Sequence, residues 1–189
     1  MRRFARADVS GQIGSVRLVD ELQHQARALW VHPRVHQMEC TRFLSYVVAG
    51  PEPDDCSIWV GAIGADGYGR FFITRSGSGF CVRPNRYALA MSTGRPLDAD
   101  VFALHDCDNP ICVKISPPES VRQHVVSGTQ SENMLRMGRG RRGGGRPSIR
   151  GLGREARRER SVALRDAVRD GWDAEAVREA LLGVHPRLF

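Results

Sequence analysis

Lysine is almost missing from this chain: Lys114 is the single one among 28 basic residues. A coding sequence rich in G and C explains the preference for arginine but not its placement. Arginines crowd residues 136–160, where Glu155 and Glu159 alone oppose them. Long apolar runs are missing too. None approaches the roughly 18 residues of a membrane span, and the opening MRRFARADVSGQIG lacks the continuous apolar core of a signal peptide. These absences predict a cytoplasmic protein with no membrane partner. Cysteine is scarce, and five is an odd number. In a reducing compartment that argues against a disulfide framework and for metal ligation or free thiols.

What is present fits one core of ordinary size with a helical appendage: 189 residues, 41% of them apolar. A net charge of +7 and a pI near 9.8 point to a polyanionic partner. Val16, Val19, Leu22, Ala26 and Leu29 recur at helical spacing behind Ser15 as N-cap, and Pro33 ends that helix. A second short helix is expected over residues 35–47. His32, His36 and Cys40 lie there, but packing or surface roles account for them better than a metal site.

From Cys56 the pattern turns to short strands. CSIWVGAI and YGRFFIT flank a Gly64–Gly67 turn and predict a small antiparallel unit, followed by a second turn at Ser76–Gly79. A short helix through Tyr87–Met91 is closed by Gly94, and a strand over Val101–Leu104 delivers His105 to its end. The stretch that follows, HDCDNPICVKISPPESVRQHVVSGTQSEN, packs two thiols (Cys107, Cys112) and a second imidazole (His124) into a loop with little else to hold it. Soft and borderline metal ligands so placed suggest a zinc staple. Buried apolar thiols are the plainer reading.

The ordered series C-x-I-W-x-G, G-Y-G-x-F, R-Y, L-H-x-C-D-N-P-x-C-V, H-x-x-x-G-T-x-x-E-N-M and R-G-R, over about residues 56–142, resembles the zinc-containing branch of the HNH endonucleases of phages and mobile elements. The resemblance implies an α+β protein with a ββα-metal (His-Me finger) core stapled by a structural zinc, an N-terminal helix and a C-terminal helical pair. Its zinc ligands would be Cys56, Cys107, Cys112 and His124. Three thiolates and an imidazole close a tetrahedral set with no position left for water. Cys40 and Cys81 are then core thiols, with Cys81 the substitute should Cys56 prove distant. His105 would be the general base, and Asn133 would present its oxygen to a catalytic Mg2+ or Mn2+.

This sequence departs from the family pattern at Leu104, where relatives carry aspartate, at Lys114 and Ile115 in place of Asn-Pro, and at Asn85-Arg86 in place of His-Arg. Asn109 is the nearest candidate for the asparagine that orients the base, and Arg86 for a phosphate clamp.

Beyond Asn133, the segment MGRGRRGGGRPSIRG supplies Arg139, Arg141, Arg142 and Arg146 as DNA contacts, either as a minor-groove hook or as a solvated linker that meets phosphates. Arg154–Arg169 reads as a basic amphipathic helix. Asp173 caps another helix through Leu182, and the two form a helix-turn-helix or a hairpin packed on the core. The organisation expected is therefore an N-terminal extension (1–50), a nuclease core (51–138), an Arg/Gly-rich linker (139–155) and a C-terminal helical region (156–189). The partner expected is double-stranded DNA, nicked or cut. Oligomeric state is left open, with a homodimer as one way to place two active sites on a duplex.

Overall fold

Four aromatic rings set where the core forms. In this computed structural model, which describes residues 28–142 and 153–182 and only the backbone of 137–142, Phe43, Trp59, Phe71 and Tyr87 are all at most 1% exposed. Phe43 lies 4.6 Å from Tyr87 and 5.5 Å from Trp59, and Phe71 lies 4.9 Å from Tyr87, between ring centroids. Each buried ring contributes area, and each tilted or edge-on pair adds about 0.5–1.5 kcal/mol beyond it.

The elements run α1 (Gln37–Leu44), β1 (Val47–Ala49), β2 (Ser57–Trp59), β3 (Phe71–Arg75), β4 (Ser78–Val82), α2 (Pro84–Thr93), β5 (Phe102–His105), β6 (Val125–Gly128), α3 (Gln130–Arg142), α4 (Arg154–Arg169) and α5 (Ala174–Leu182). The strands form three two-stranded antiparallel sheets, β1-β2, β3-β4 and β5-β6. The described part is thus α+β. None of its helices is long and apolar enough to cross a membrane.

Several local expectations are met. Helix α2 ends as expected on Gly94 at φ 62°, a conformation glycine adopts without strain, but starts three residues before Tyr87, on Pro84, where a missing N–H costs nothing. Helix α4 has the bounds its periodicity predicts, and Asp173 caps α5 by accepting from the Ala176 N–H at 3.0 Å.

Others are corrected. The first expected helix, which opens behind Ser15, lies outside the described residues up to residue 27. Its last member, Leu29, is extended and exchanges backbone hydrogen bonds with Leu97 at 3.0 and 2.9 Å. The second helix stops at Leu44 because Val47 and Val48, β-branched, pair with Trp59 and Ile58. Strand β2 therefore joins β1 rather than the YGRFFIT strand, which pairs with β4. The Gly64–Gly67 turn survives, closed by the Gly67 N–H on the Gly64 carbonyl at 3.0 Å. The linker drawn over 139–155 begins inside α3 and ends inside α4. The segments read as separate also share one core, since Leu29, Val31 and Phe43 cluster with Ile58 and Ile111 and with Leu164, Val168 and Val177 of α4 and α5. The C-terminal pair of helices packs on that core through Leu164, Val168 and Val177.

Candidate functional site

The side chains that can hold a metal are assembled by backbone pairing. Residues 111–113 run antiparallel beside β2: the Trp59 N–H donates to the Ile111 carbonyl at 2.9 Å and the Val113 N–H to the Ser57 carbonyl at 2.8 Å. This sets Cys112 against Cys56. Beyond β5 the Asp106 N–H donates to the His124 carbonyl at 2.7 Å, carrying the β5-β6 ladder one step further and drawing His124 up beside Cys107. Asn109, fully buried, accepts the Ile111 N–H at 3.1 Å and turns the loop between the two cysteines. Lys114 donates to the Asp55 carbonyl at 2.7 Å and to that of Pro53, tying down the chain that leads into Cys56.

The ligand atoms of Cys56, Cys107, Cys112 and His124 all lie within 4.8 Å of one another. His124 Nδ1 is 3.5 Å from Cys56 Sγ and 3.6 Å from Cys112 Sγ. A tetrahedral zinc with ordinary Zn–S and Zn–N bonds requires S···N separations of about 3.6 Å. The four residues therefore fit a metal ion such as zinc, with Nδ1 as the ligating nitrogen.

Their electrostatics agree. Hydrogen bonds from Cys107 and Cys112 hold the Cys56 thiol down to about 2. Cys107 receives a lowering hydrogen bond from Cys112, yet its hydrogen bond to Cys56, burial and the Cys56 charge push it up to about 12. Cys112 is raised well above the usual thiol range by hydrogen bonds to Cys107 and Cys56 and by burial. Three thiols this close cannot all ionise unless a cation joins them.

Along β5 and the start of the cysteine loop opens a cavity of about 350 Å³, and both His105 and Asn133 line it. His105 stands at the C-terminal end of β5, and the Tyr68 ring lies 6.3 Å from its own, centroid to centroid. Asn133 is in the first turn of α3, whose start is fixed by a capping box. The Glu132 N–H donates to Thr129 Oγ1 at 3.2 Å and the Thr129 N–H to Glu132 Oε2 at 2.6 Å. Leu104, 5% exposed, packs under this junction; a Cβ on Gly128 would lie 2.4 Å from its Cδ1. The side chain at this position is an apolar prop.

Two expected site residues serve elsewhere. Asn109 belongs to the cysteine loop and is no support for His105. Arg86 donates to the carbonyls of Leu97 at 3.2 Å, Asp98 at 2.6 Å and Val101, so its guanidinium staples the segment before β5 instead of lining the cavity. Asn85 is the residue of that pair which touches the strand: its Nδ2 donates to the Ala103 carbonyl at 2.9 Å and binds α2 to β5. Arg139, Arg141 and Arg142 fall in the last turn of α3, where the backbone alone is described, and Arg146 lies outside the described residues. His36 Nδ1 accepts the His32 N–H at 3.0 Å and Cys40 is buried against the Tyr87 hydroxyl at 3.4 Å, and His32, His36 and Cys40 do not gather as a ligand group among the described residues. Cys81, expected in the core, is exposed on β4.

Sequence reading missed the arginines that do line the cavity. They are Arg83 before α2, Arg136 in α3, and Arg157 and Arg160 in α4. The three-residue spacing of the last two within REARRER was the available signal. Asn133 and Asp108 place oxygen-bearing side chains among the cavity's lining residues.

The chain is similar in part to a phage protein. Protein 7.7 of Escherichia phage T7 is 32% identical over 93 residues, which make up 48% of this chain and 62% of that protein. No protein-family model matches the chain, and no solved structure matches it.

Proposed function

We propose that this protein is a metal-dependent endonuclease of the HNH type, hydrolysing phosphodiester bonds of double-stranded DNA, with a structural zinc on Cys56, Cys107, Cys112 and His124. The observation that carries the reading is the convergence of His105 and Asn133, from a strand end and a helix start, on one arginine-lined cavity beside that thiol cluster. The order strand, metal-binding loop, strand, helix through β5, β6 and α3 is the order of a ββα-metal core. Closed thiolate sites of this composition contribute on the order of 10 kcal/mol to folding, and three of the four ligands sit on the 19-residue loop that runs from Asp106 to His124.

In the reaction His105 takes a proton from water as the hydroxide oxygen forms a bond to phosphorus, and the bond from phosphorus to the 3′ oxygen breaks in line. Neutral imidazole is basic enough for this near neutral pH. Asn133 would hold Mg2+ or Mn2+, which when bound stabilises charge on the phosphate and leaving oxygen. The arginines of α3 and the segment after it, Arg139, Arg141, Arg142 and Arg146, would hold the duplex.

The test is plasmid nicking with magnesium or manganese. Wild type converts supercoiled DNA to nicked or linear form and His105→Ala does not; equal rates for both would remove His105 from the mechanism. Leu104, buried where an acidic ligand is usual, favours a second reading: a zinc-stabilised DNA-binding protein with weakened catalysis. Duplex binding that survives EDTA, with no cleavage in either metal, would select it.

A further inference from the structure

Helix α4 lies against the Asp66–Gly67 turn more closely than any side chain would allow. A Cβ on Gly67 would stand 2.9 Å from the Arg157 carbonyl carbon, and buried Ser161 donates to the Gly67 carbonyl at 2.7 Å. This seating turns Arg157 and Arg160, three apart on one helix face, into the cavity that His105 and Asn133 line.

Arg160 is 7% exposed. Its Nη1 donates to the Asp108 carbonyl at 3.2 Å, while its buried Nε has no hydrogen-bond partner among the described residues. A guanidinium buried with a donor unsatisfied is costly, and a ligand anion entering the cavity would remove that cost. Facing it, Arg83 and Arg157 both lie on the Tyr68 ring, 4.1 and 5.8 Å from its centroid. Asp66, which pairs with Arg83 at 3.3 Å, is shared with Arg70 at 2.8 Å. Positive charge here exceeds what the neighbouring carboxylates can offset.

We propose that Arg160 and Arg157, with Arg83 across the cavity, form a phosphate subsite that grips the phosphate presented to His105, so that α4 completes the active site instead of serving as a separate DNA-reading module. The proposal rests on the nuclease reading for the identity of the phosphate, and the experiment separates the two.

Zinc-loaded full-length protein is titrated with inorganic phosphate against chloride at matched ionic strength. Binding is read from thermal stability and from the arginine Nε–H resonances in NMR spectra. Wild type gains stability and shifts the Arg160 signal; Arg157→Gln loses most of both responses. On plasmid DNA, Arg160→Gln lowers kcat by about 10²–10³-fold, the usual cost of removing one aimed donor. Arg160→Lys recovers part of it, and Arg157→Gln acts mainly on KM. One zinc per chain is retained throughout.

Phosphate responses and cleavage equal to wild type in both glutamine variants overturn the subsite. Loss of zinc in Arg160→Gln, with Arg157→Gln unchanged, also overturns it, because Arg160 would then only offset the charge of the nearby Cys56 and Cys107. Failure of the wild type to cleave, with phosphate binding still lost in Arg157→Gln, sinks the nuclease reading and leaves the subsite standing.

Discussion

At the scale of single residues, the thiol cluster resists full ionisation until a cation arrives. Cys56 is pushed toward the thiolate by hydrogen bonds from Cys107 and Cys112, while those two are pushed toward the thiol by their contact with Cys56 and by burial. Loading zinc must therefore displace about two protons per ion, and the apparent affinity falls as pH falls because those protons compete for the same sulfurs. A zinc titration in weakly buffered solution at pH 7 should release about two protons per metal; a value near zero would mean that the ion bypasses Cys107 and Cys112. Cys112→Ser should lose zinc and most of the folded population with it. Cys107, Cys112 and His124 were legible because they lie within one short loop, whereas Cys56, 51 positions before Cys107, was reached only through resemblance to a family. Arg86 and Asn109 were misjudged for a physical reason. Whether a polar side chain meets a ligand or a backbone carbonyl is decided by which segment folds over it, and neighbours in sequence carry no record of that.

Among the elements, the junction of α4 with the Gly64–Gly67 turn is where small changes should have large effects. Gly67 has φ 81° and no room for a Cβ, so Gly67→Ala adds backbone strain of about 1–3 kcal/mol and also lifts α4 from its seat. Ser161→Ala leaves the Gly67 carbonyl without its buried donor, a cost of about 1–3 kcal/mol. Urea unfolding should show lower midpoints for both variants. In Gly67→Ala, cleavage should fall further than the residual folded fraction explains, because Arg157 and Arg160 move with the helix. A fall in cleavage that matches unfolding alone would mean that the helix position does not reach the site. Helix α4 itself was readable residue for residue, since its apolar spacing and its arginine-rich face are local properties. Strand partners were not. A Gly-marked turn between two apolar runs favours a hairpin, but β2 finds more to bury against β1 and the Ile111–Val113 segment, and that preference exists only once the chain has folded back.

For the whole molecule, the question is whether the C-terminal helices are an appendage or part of the body. Leu164 and Val168 are fully buried, Val177 is 7% exposed, and all three belong to the cluster that contains Phe43, Trp59 and Phe71. A Cβ on Gly50, at the end of β1, would lie 2.8 Å from the Trp172 ring, so the segment joining the two helices touches the first sheet as well. Three such aliphatic side chains contribute about 1.5–3 kcal/mol each on burial. Their sum is comparable with the entire net stability of about 5–15 kcal/mol typical of a domain. A chain ending at residue 152 should therefore fail to unfold cooperatively and should bind zinc only loosely, whereas the full chain should show tryptophan fluorescence and zinc release changing together in one thermal transition. A truncated protein that keeps a sigmoidal transition and one tightly held zinc would show the helical pair to be separable. Its arginines would then be free to act as a detached module, and the seating of Arg157 and Arg160 on the cavity would lose its structural basis.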